Sequence, residues 1–298
     1  MSPDELENFR KAGKLAAKVR EESKRLIMVG ESLLDIADMV EQSIKDEGGK
    51  PAFPVNISIN DIAAHYTPEF DSTALMEDNA LVKIDLGIEI NGALSDTAYT
   101  IDLSGKNETL VKASEEALEN AIKSIRPGVA VGEIGGVIED TIKKYGFRPI
   151  SNLSGHMIKS NQLHAGIDIP NIKTKDPYQF QEGDIFAIEP FATTGQGYVE
   201  DLEQVEIFSL YAPSNIRMRQ SRKIVEHVIK NYGMLPFAER WVRKEFSSKL
   251  LVSAAFKELL QNQFLRGYPI LREVSRGLVS QAEHTVLVTS DGCEILTK

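Results

Sequence analysis

Asp85 and Asp96 stand eleven residues apart in the segment LVKIDLGIEINGALSDTAYTIDL. Val82, Ile84, Leu86, Ile88 and Ile90 alternate there with Asp85, Gly87 and Glu89, the period of a half-buried strand. Asn91-Gly92 then supplies a two-residue hairpin turn. Such a loop pairs Ile90 with Ala93, so Asp85 faces Ala98 and Gly87 faces Asp96. All four share one face, and the two acids become diagonal neighbours, about 7–8 Å apart at the backbone. Two like charges this close repel one another and lose hydration. Two arrangements relieve that cost: an open face on which both acids are solvated, or a cation held between them. Gly87, Leu94 and Ala98 on the same face are small or apolar, which is unlike an ordinary charged surface.

Three further candidates lie in strand-like segments. His156 follows a glycine in SNLSGHMI, Glu189 precedes Pro190 in QEGDIFAIEPFA, and Glu283 opens QAEHTVLVTSDGCEIL. Asp291-Gly292 marks the turn of a hairpin in the last of these. Among 44 acidic residues a single glutamate is by default solvated or ion-paired, so each means little alone.

The elements that must position these residues can be read from periodicity. Ser2-Pro3-Asp4-Glu5 has the form of a capping box with Pro at the first helical position, and the spacing predicts a helix to about Ile27. Leu33, Leu34, Ala37, Val40 and Ile44 predict a second helix, stopped at Gly48-Gly49. The pattern returns 98 residues later: Gly30, Ile36, Glu41, Ile44, Lys45, Gly48 and Pro51 match Gly128, Ile134, Glu139, Ile142, Lys143, Gly146 and Pro149 without a gap. Either the chain holds two similar amphipathic helices, or it holds a duplicated helix–helix–sheet unit whose halves leave a cleft between them. Residues from about 206 to 268 differ in texture. Ile224, Val225, Val228, Ile229 and Tyr232 follow helical spacing, Pro236 begins a second helix with Phe237 and Trp241, and Ser248 precedes a third. That block reads as a compact helical insertion, with His227 on its polar surface between Glu226 and Lys230.

Composition bounds the rest. The 298 residues carry 34 Lys and Arg against 44 Asp and Glu, a net charge of −10, which argues against nucleic-acid binding through a basic face. A chain of this length buries enough surface to fold without disulfides. Cys293 is the only cysteine, which excludes a disulfide framework and a cysteine zinc site. No leader-type apolar segment opens the chain, and no apolar run approaches the roughly 18 residues of a membrane span. The expectation is a soluble, cytoplasmic protein.

Taken in order, Asp85, Asp96, His156, Glu189 and Glu283 resemble the ligand set of the dinuclear metallopeptidases with the pita-bread fold. IDLGIEINGALSDTAYT matches the two-aspartate hairpin, SGHMIKSNQLHAG the histidine segment, AIEPFAT and QAEHTVLV the glutamate strands, and NDIAAHYTP a segment with a non-ligand histidine. The insertion is similar to that of type 2 methionine aminopeptidases, and the absence of a long charged extension before Ser2 is like the archaeal-type members. The residues after His156 are less glycine-rich than in many relatives. The resemblance implies an α+β pita-bread domain over residues 1–205 plus 269–298, and a winged-helix-like helical subdomain over 206–268.

The resemblance also implies roles. Asp85 would hold one of two divalent ions, Asp96 and Glu283 would bridge both, and His156 and Glu189 would complete the other, with Glu189 as proton shuttle. A set of oxygens with one imidazole suits Co, Mn, Fe or Zn rather than a closed structural zinc site. Such a pair activates water for hydrolysis at neutral pH. His65 and His164 would be catalytic and substrate-binding imidazoles that stabilise the oxyanion and protonate the leaving amide, although either residue alone would by default be structural. Phe53 would line the side pocket for a thioether. The implied activity is removal of the N-terminal methionine from nascent chains when the second residue is small. The implied partners are those N-termini, with the ribosome as a further candidate, no membrane and no specific nucleic acid, and the implied state is a monomer. Two alternatives stand beside it. One is a prolidase or aminopeptidase P, which usually carries a separate N-terminal domain. The other is a non-catalytic relative associated with RNA or the ribosome, which would lose metal ligands.

Overall fold

The computed structural model describes residues 1–212 and 216–298. Residues 213–215, inside the expected insertion, lie outside the described residues. The chain begins with α1 (Pro3–Ser23), which carries the capping box spelled by its first residues: Ser2 Oγ accepts from the Glu5 amide and the Glu5 carboxylate from the Ser2 amide. The α-helix ends at Ser23, and a single tighter turn over Lys24–Leu26 covers the rest of the expected span. Next come α2 (Leu33–Asp46), β1 (Lys50–Pro51), β2 (Asn56–Ile59), β3 (Ile62–Ala64), and the hairpin of β4 (Leu81–Ile90) and β5 (Ala93–Asp102).

The plan then repeats with α3 (Glu108–Ser124), α4 (Val131–Lys144), β6 (Arg148–Pro149), β7 (Ser154–Ile158), β8 (Asp168–Pro170), β9 (Ile185–Ile188) and β10 (Phe191–Thr193). A shift of 98 residues carries α2 onto α4 and β1 onto β6, residue for residue. Gly30 and Gly128 have φ of 87° and 88°, and Gly48 and Gly146 have φ of 84° and 82°. These left-handed turns, open to glycine without steric cost, frame both helices. Ile36 and Ile134, like Ile44 and Ile142, are fully buried. Two unrelated amphipathic helices have no physical reason to share both turns and the exit strand, so the duplicated unit accounts for the pattern.

The remaining elements are β11 (Val199–Leu210), α5 (Arg219–Asn231), β12 (Phe237–Ala238), α6 (Glu239–Glu245), α7 (Lys249–Gln261), β13 (Leu265–Glu273), β14 (Val279–Gln281), β15 (His284–Val288) and β16 (Cys293–Ile295). β4 pairs with β5 along one edge and with β2 and β1 along the other, while the second half builds the order β16-β15-β9-β7-β8. β11 and β13 form a long antiparallel ribbon from Val199↔Glu273 to Leu210↔Leu265. At its far end α5, α6 and α7 enclose a separate apolar cluster that includes Phe208, Val228, Phe237 and Phe256.

Two details differ from the sequence reading. Phe237 pairs with Phe208 as a short strand, so the helix expected from Pro236 starts at Glu239. His227 is half-buried rather than a surface residue, because the rings of Tyr232 and Phe246 close over it at 5.8 and 5.7 Å. Arg240 and Trp241 on α6 dock this region on α2. The Glu41 carboxylate, 2% exposed, accepts from Arg240 Nη2, from Trp241 Nε1 at 2.7 Å and from the Val55 amide at 3.2 Å.

Candidate metal centre and active site

The β4–β5 hairpin has the register expected from its turn: Asp85 faces Ala98 and Gly87 faces Asp96. Its β5 edge is stitched to the segment leading into β15. The Thr285 hydroxyl accepts from the Asp96 amide at 2.7 Å and donates to the Asp96 carbonyl at 2.8 Å. The Glu283 amide donates to the Ala98 carbonyl at 3.0 Å, and Thr97 Oγ1 donates to the Glu283 carbonyl at 2.9 Å. Arg20 reaches from α1 to the same seam, donating to Thr97 Oγ1 at 3.0 Å and to the Thr297 carbonyl at 2.9 Å. Asp96 and Glu283, from opposite halves, are thereby held side by side.

His156 on β7 pairs with Ala187 of β9, and Glu189 follows the end of β9. Asp96, His156 and Glu283 each aim one ligand atom into a space where all three lie within 4.8 Å of one another. His156 Nε2 is 3.5 Å from Asp96 Oδ2 and 3.9 Å from Glu189 Oε1. Asp85 completes the group beside Asp96. Burial first, and then the neighbouring carboxylates, push the pKa values of Asp85, Glu189 and Glu283 well above the usual carboxylate range. Among the described residues no lysine or arginine pairs with any of these four acids. Asp85 Oδ1, Asp96 Oδ1 and Glu283 Oε2 are buried without a hydrogen-bond partner. Buried acids with orphaned oxygens and no counterion are costly unless something cationic joins them. The donor set, mostly oxygen with one imidazole, fits divalent metal ions.

His65 lies beyond this cluster, on the segment after β3. Its φ of 65° places a non-glycine residue in the left-handed region, a strain of about 1–3 kcal/mol that tends to persist where function requires it. Its Nδ1 is 3.1 Å from the Pro269 carbonyl. Burial lowers the pKa of His65, so the ring is neutral at neutral pH. A carbonyl can only accept, so the one ring proton sits on Nδ1 and Nε2 keeps its lone pair. His164 packs its ring 4.3 Å from that of His156. Burial and then the adjacent His156 lower its pKa as well, although one side of the ring remains open to solvent.

Phe53 lies against the acid hairpin from below. A Cβ on Gly87 would stand 2.2 Å from the Phe53 ring, so the glycine opposite Asp96 makes room for this aromatic side chain. The structure therefore gathers Asp85, Asp96, His156, Glu189 and Glu283 at one point, with His65, His164 and Phe53 around it.

Two neighbours went unnoticed in the sequence. Gln281 Nε2 donates to Glu189 Oε2 at 3.3 Å, and its position two residues before Glu283 could have flagged it. Tyr268 sets its ring edge-on to His65 at 5.8 Å. The pairing of β13 with β3, whose last residue precedes His65, brings it there, and no local signal announces that.

Comparison with known proteins agrees with this geometry. Residues 7–290 match metallopeptidase family M24. The methionine aminopeptidase of Methanocaldococcus jannaschii is 48% identical over 297 residues, covering 99% of this chain and 100% of that protein. A thermophilic Arx1 superposes with a TM-score of 0.86 at 19% identity, over 99% of this chain and 91% of its own. The methionine aminopeptidase of Thermotoga maritima does so with a TM-score of 0.74 at 24% identity, over 100% of this chain and 98% of its own. These two likenesses speak to the pita-bread fold alone, whereas the archaeal relative speaks to the family. The chain thus belongs to metallopeptidase family M24, among its methionine aminopeptidases of the archaeal type.

Proposed function

We propose that this protein removes the N-terminal methionine from nascent proteins and peptides whose second residue is small. The observation that carries the reading is the convergence of Asp96, His156 and Glu283 beside Asp85 and Glu189 in a buried, counterion-free space. Archaeal relatives 43–48% identical along almost their whole lengths, all methionine aminopeptidases, favour this substrate over the prolidase alternative. The intact acid cluster speaks against a non-catalytic relative.

Asp85, Asp96, His156, Glu189 and Glu283 would hold two divalent ions, from among Co, Mn, Fe and Zn. Bound there, the ions would supply an activated water and polarise the scissile carbonyl. Glu189 Oε2 accepts from Gln281, which leaves Oε1, with no protein donor among the described residues, to take and return a proton. His65 would accept the N–H of the scissile amide at Nε2, its Nδ1 proton being committed to Pro269. This modifies the donor role expected of both histidines and leaves His164 to donate to the developing oxyanion. Phe53 would form an apolar wall against the methionine side chain.

Residues 206–268 would form the insertion subdomain, and residues 1–205 plus 269–298 the catalytic one. The insertion holds 11 Lys and Arg against 5 Glu, a net of +6 in a chain of net −10. Arg217, Arg219, Arg222 and Lys223 are exposed around the start of α5, which supports an electrostatic contact with the ribosome by a monomeric, cytoplasmic enzyme. Among the described residues no helix is long and apolar enough to cross a membrane.

The test is release of methionine from a Met-Ala-Ser peptide by metal-loaded protein, beside an X-Pro peptide in which X is not Met. Release from the first alone is expected. Rapid cleavage of the second with none of the first would assign the chain to the prolidase group.

A further inference from the structure

Arg266 is exposed, and among the described residues it forms no ion pair. Arg272 on the same strand, by contrast, is paired with Glu200. Arg266 sits at the start of β13 opposite Ser209, and Tyr268 lies two residues on, opposite Ile207. Alternate residues of a strand share a face. The Arg266 guanidinium accordingly stands over the Tyr268 ring, 5.5 Å from its centroid. The Tyr268 hydroxyl is 3.2 Å from Ser209 Oγ, which fixes the ring in place. That ring also meets His65 edge-on at 5.8 Å. His65, Tyr268 and Arg266 therefore touch in succession, and the series ends at an exposed guanidinium.

A peptide whose first carbonyl is held at the acid cluster must leave along an open side. An extended chain advances about 3.3 Å per residue. A guanidinium one aromatic ring beyond His65 then stands beside roughly the third or fourth residue. We propose that Arg266 is a specificity-determining residue that recognises a carboxylate side chain near the third or fourth position of the substrate. This rests on the reading of the site as a methionine aminopeptidase. A chain of net −10 repels acidic peptides at long range, while residues 206–268, of net +6, attract them, so the share of Arg266 is read from its own substitution.

The experiment compares kcat/KM of the metal-loaded full chain on Met-Ala-Asp-Asp-Ser, Met-Ala-Ser-Ser-Ser and Met-Ala-Lys-Lys-Ser. The wild type should prefer the acidic over the basic peptide by roughly threefold at low salt, the scale of an exposed ion pair. The difference should lie in KM and shrink at high salt. Arg266→Lys should keep the direction of the preference, Arg266→Met should reduce it, and Arg266→Glu should reverse it. Each ratio is internal to one protein, so altered folding or metal loading cancels. An acidic-to-basic ratio that is the same in wild type and Arg266→Glu would overturn the proposal while the neutral peptide is still cleaved. Failure to release methionine from all three peptides would overturn the functional reading and this inference with it.

Discussion

Glu41 offers a sharp test of how the region around α6 is fastened to the first half of the chain. Its carboxylate receives Arg240, Trp241 and the Val55 amide, and Arg240 is 1% exposed. Glu41→Ala removes the acceptor of an indole N–H and a backbone N–H, and it leaves the buried guanidinium with only the Thr67 hydroxyl and, at 3.7 Å, the half-buried Asp38 carboxylate. Breaking a buried pair on one side costs about 3–5 kcal/mol, most of it the uncompensated charge. Arg240→Met should cost a similar amount, because Glu41 then keeps its charge in a site whose burial already raises its pKa against the opposing Arg240. The double variant Glu41→Leu/Arg240→Met removes both charges and should recover most of the loss. Urea unfolding of the four proteins, with m-values compared, measures the coupling. A Glu41→Ala protein within about 1 kcal/mol of wild type would refute the reasoning, as would a double variant that loses the full sum of the singles.

Other outcomes follow from the same geometry. Chelation should abolish peptidase activity, and His156→Ala should lose bound metal on elemental analysis while keeping its circular dichroism; full activity in a metal-free preparation would contradict the metal assignment. The raised carboxyl pKa values of Asp85, Glu189 and Glu283 mean that metal-free protein has their full contribution to stability below the ordinary carboxylate pKa and loses it as pH rises through the raised values. In chelator its melting temperature should therefore fall as pH rises above the ordinary carboxylate range, and by less in Glu283→Gln, whereas an equal fall in both would locate the effect elsewhere. Gly87→Ala drives a methyl into the Phe53 ring and should cost about 1–3 kcal/mol by thermal unfolding, with relief in Gly87→Ala/Phe53→Leu. The family resemblance implies that a fumagillin-type epoxide alkylates His65; with the only ring proton on Nδ1, it should add once, at Nε2, and peptide mapping to His164 would exchange the two roles.

The strands that carry chemistry were legible because their signals are local. The Asn91-Gly92 turn sets the register that makes Asp85 and Asp96 neighbours, and the pair stands as the turn requires. The duplication was legible as a fixed 98-residue spacing. Convergence of the five ligands was not: nothing local to His156 or Glu283 says that Thr285 clasps Asp96 across 189 residues. It came from family resemblance. Tyr268 was missed for the same reason, and the proton position on His65 needed the Pro269 carbonyl, which the pairing of β13 with β3 supplies. Phe237 was misplaced because its apolar neighbours fit a helix as well as a strand, and pairing with Phe208 decided between them.

The seam between the halves has a consequence for how the protein becomes active. Asp85 and Asp96 lie in one local hairpin, but Glu283 reaches them only when the strand after it docks through Thr285 and Thr97. Closure of the halves adds the Glu283 carboxylate to the repulsion already present between Asp85 and Asp96. Closure without a cation is thus opposed by charge, and closure with one is drawn forward, so metal capture and completion of the fold become a single linked equilibrium. Under that linkage, scarcity of metal acts on the amount of closed protein as well as on turnover, and the protein's own maturation becomes a gauge of the divalent ions around it.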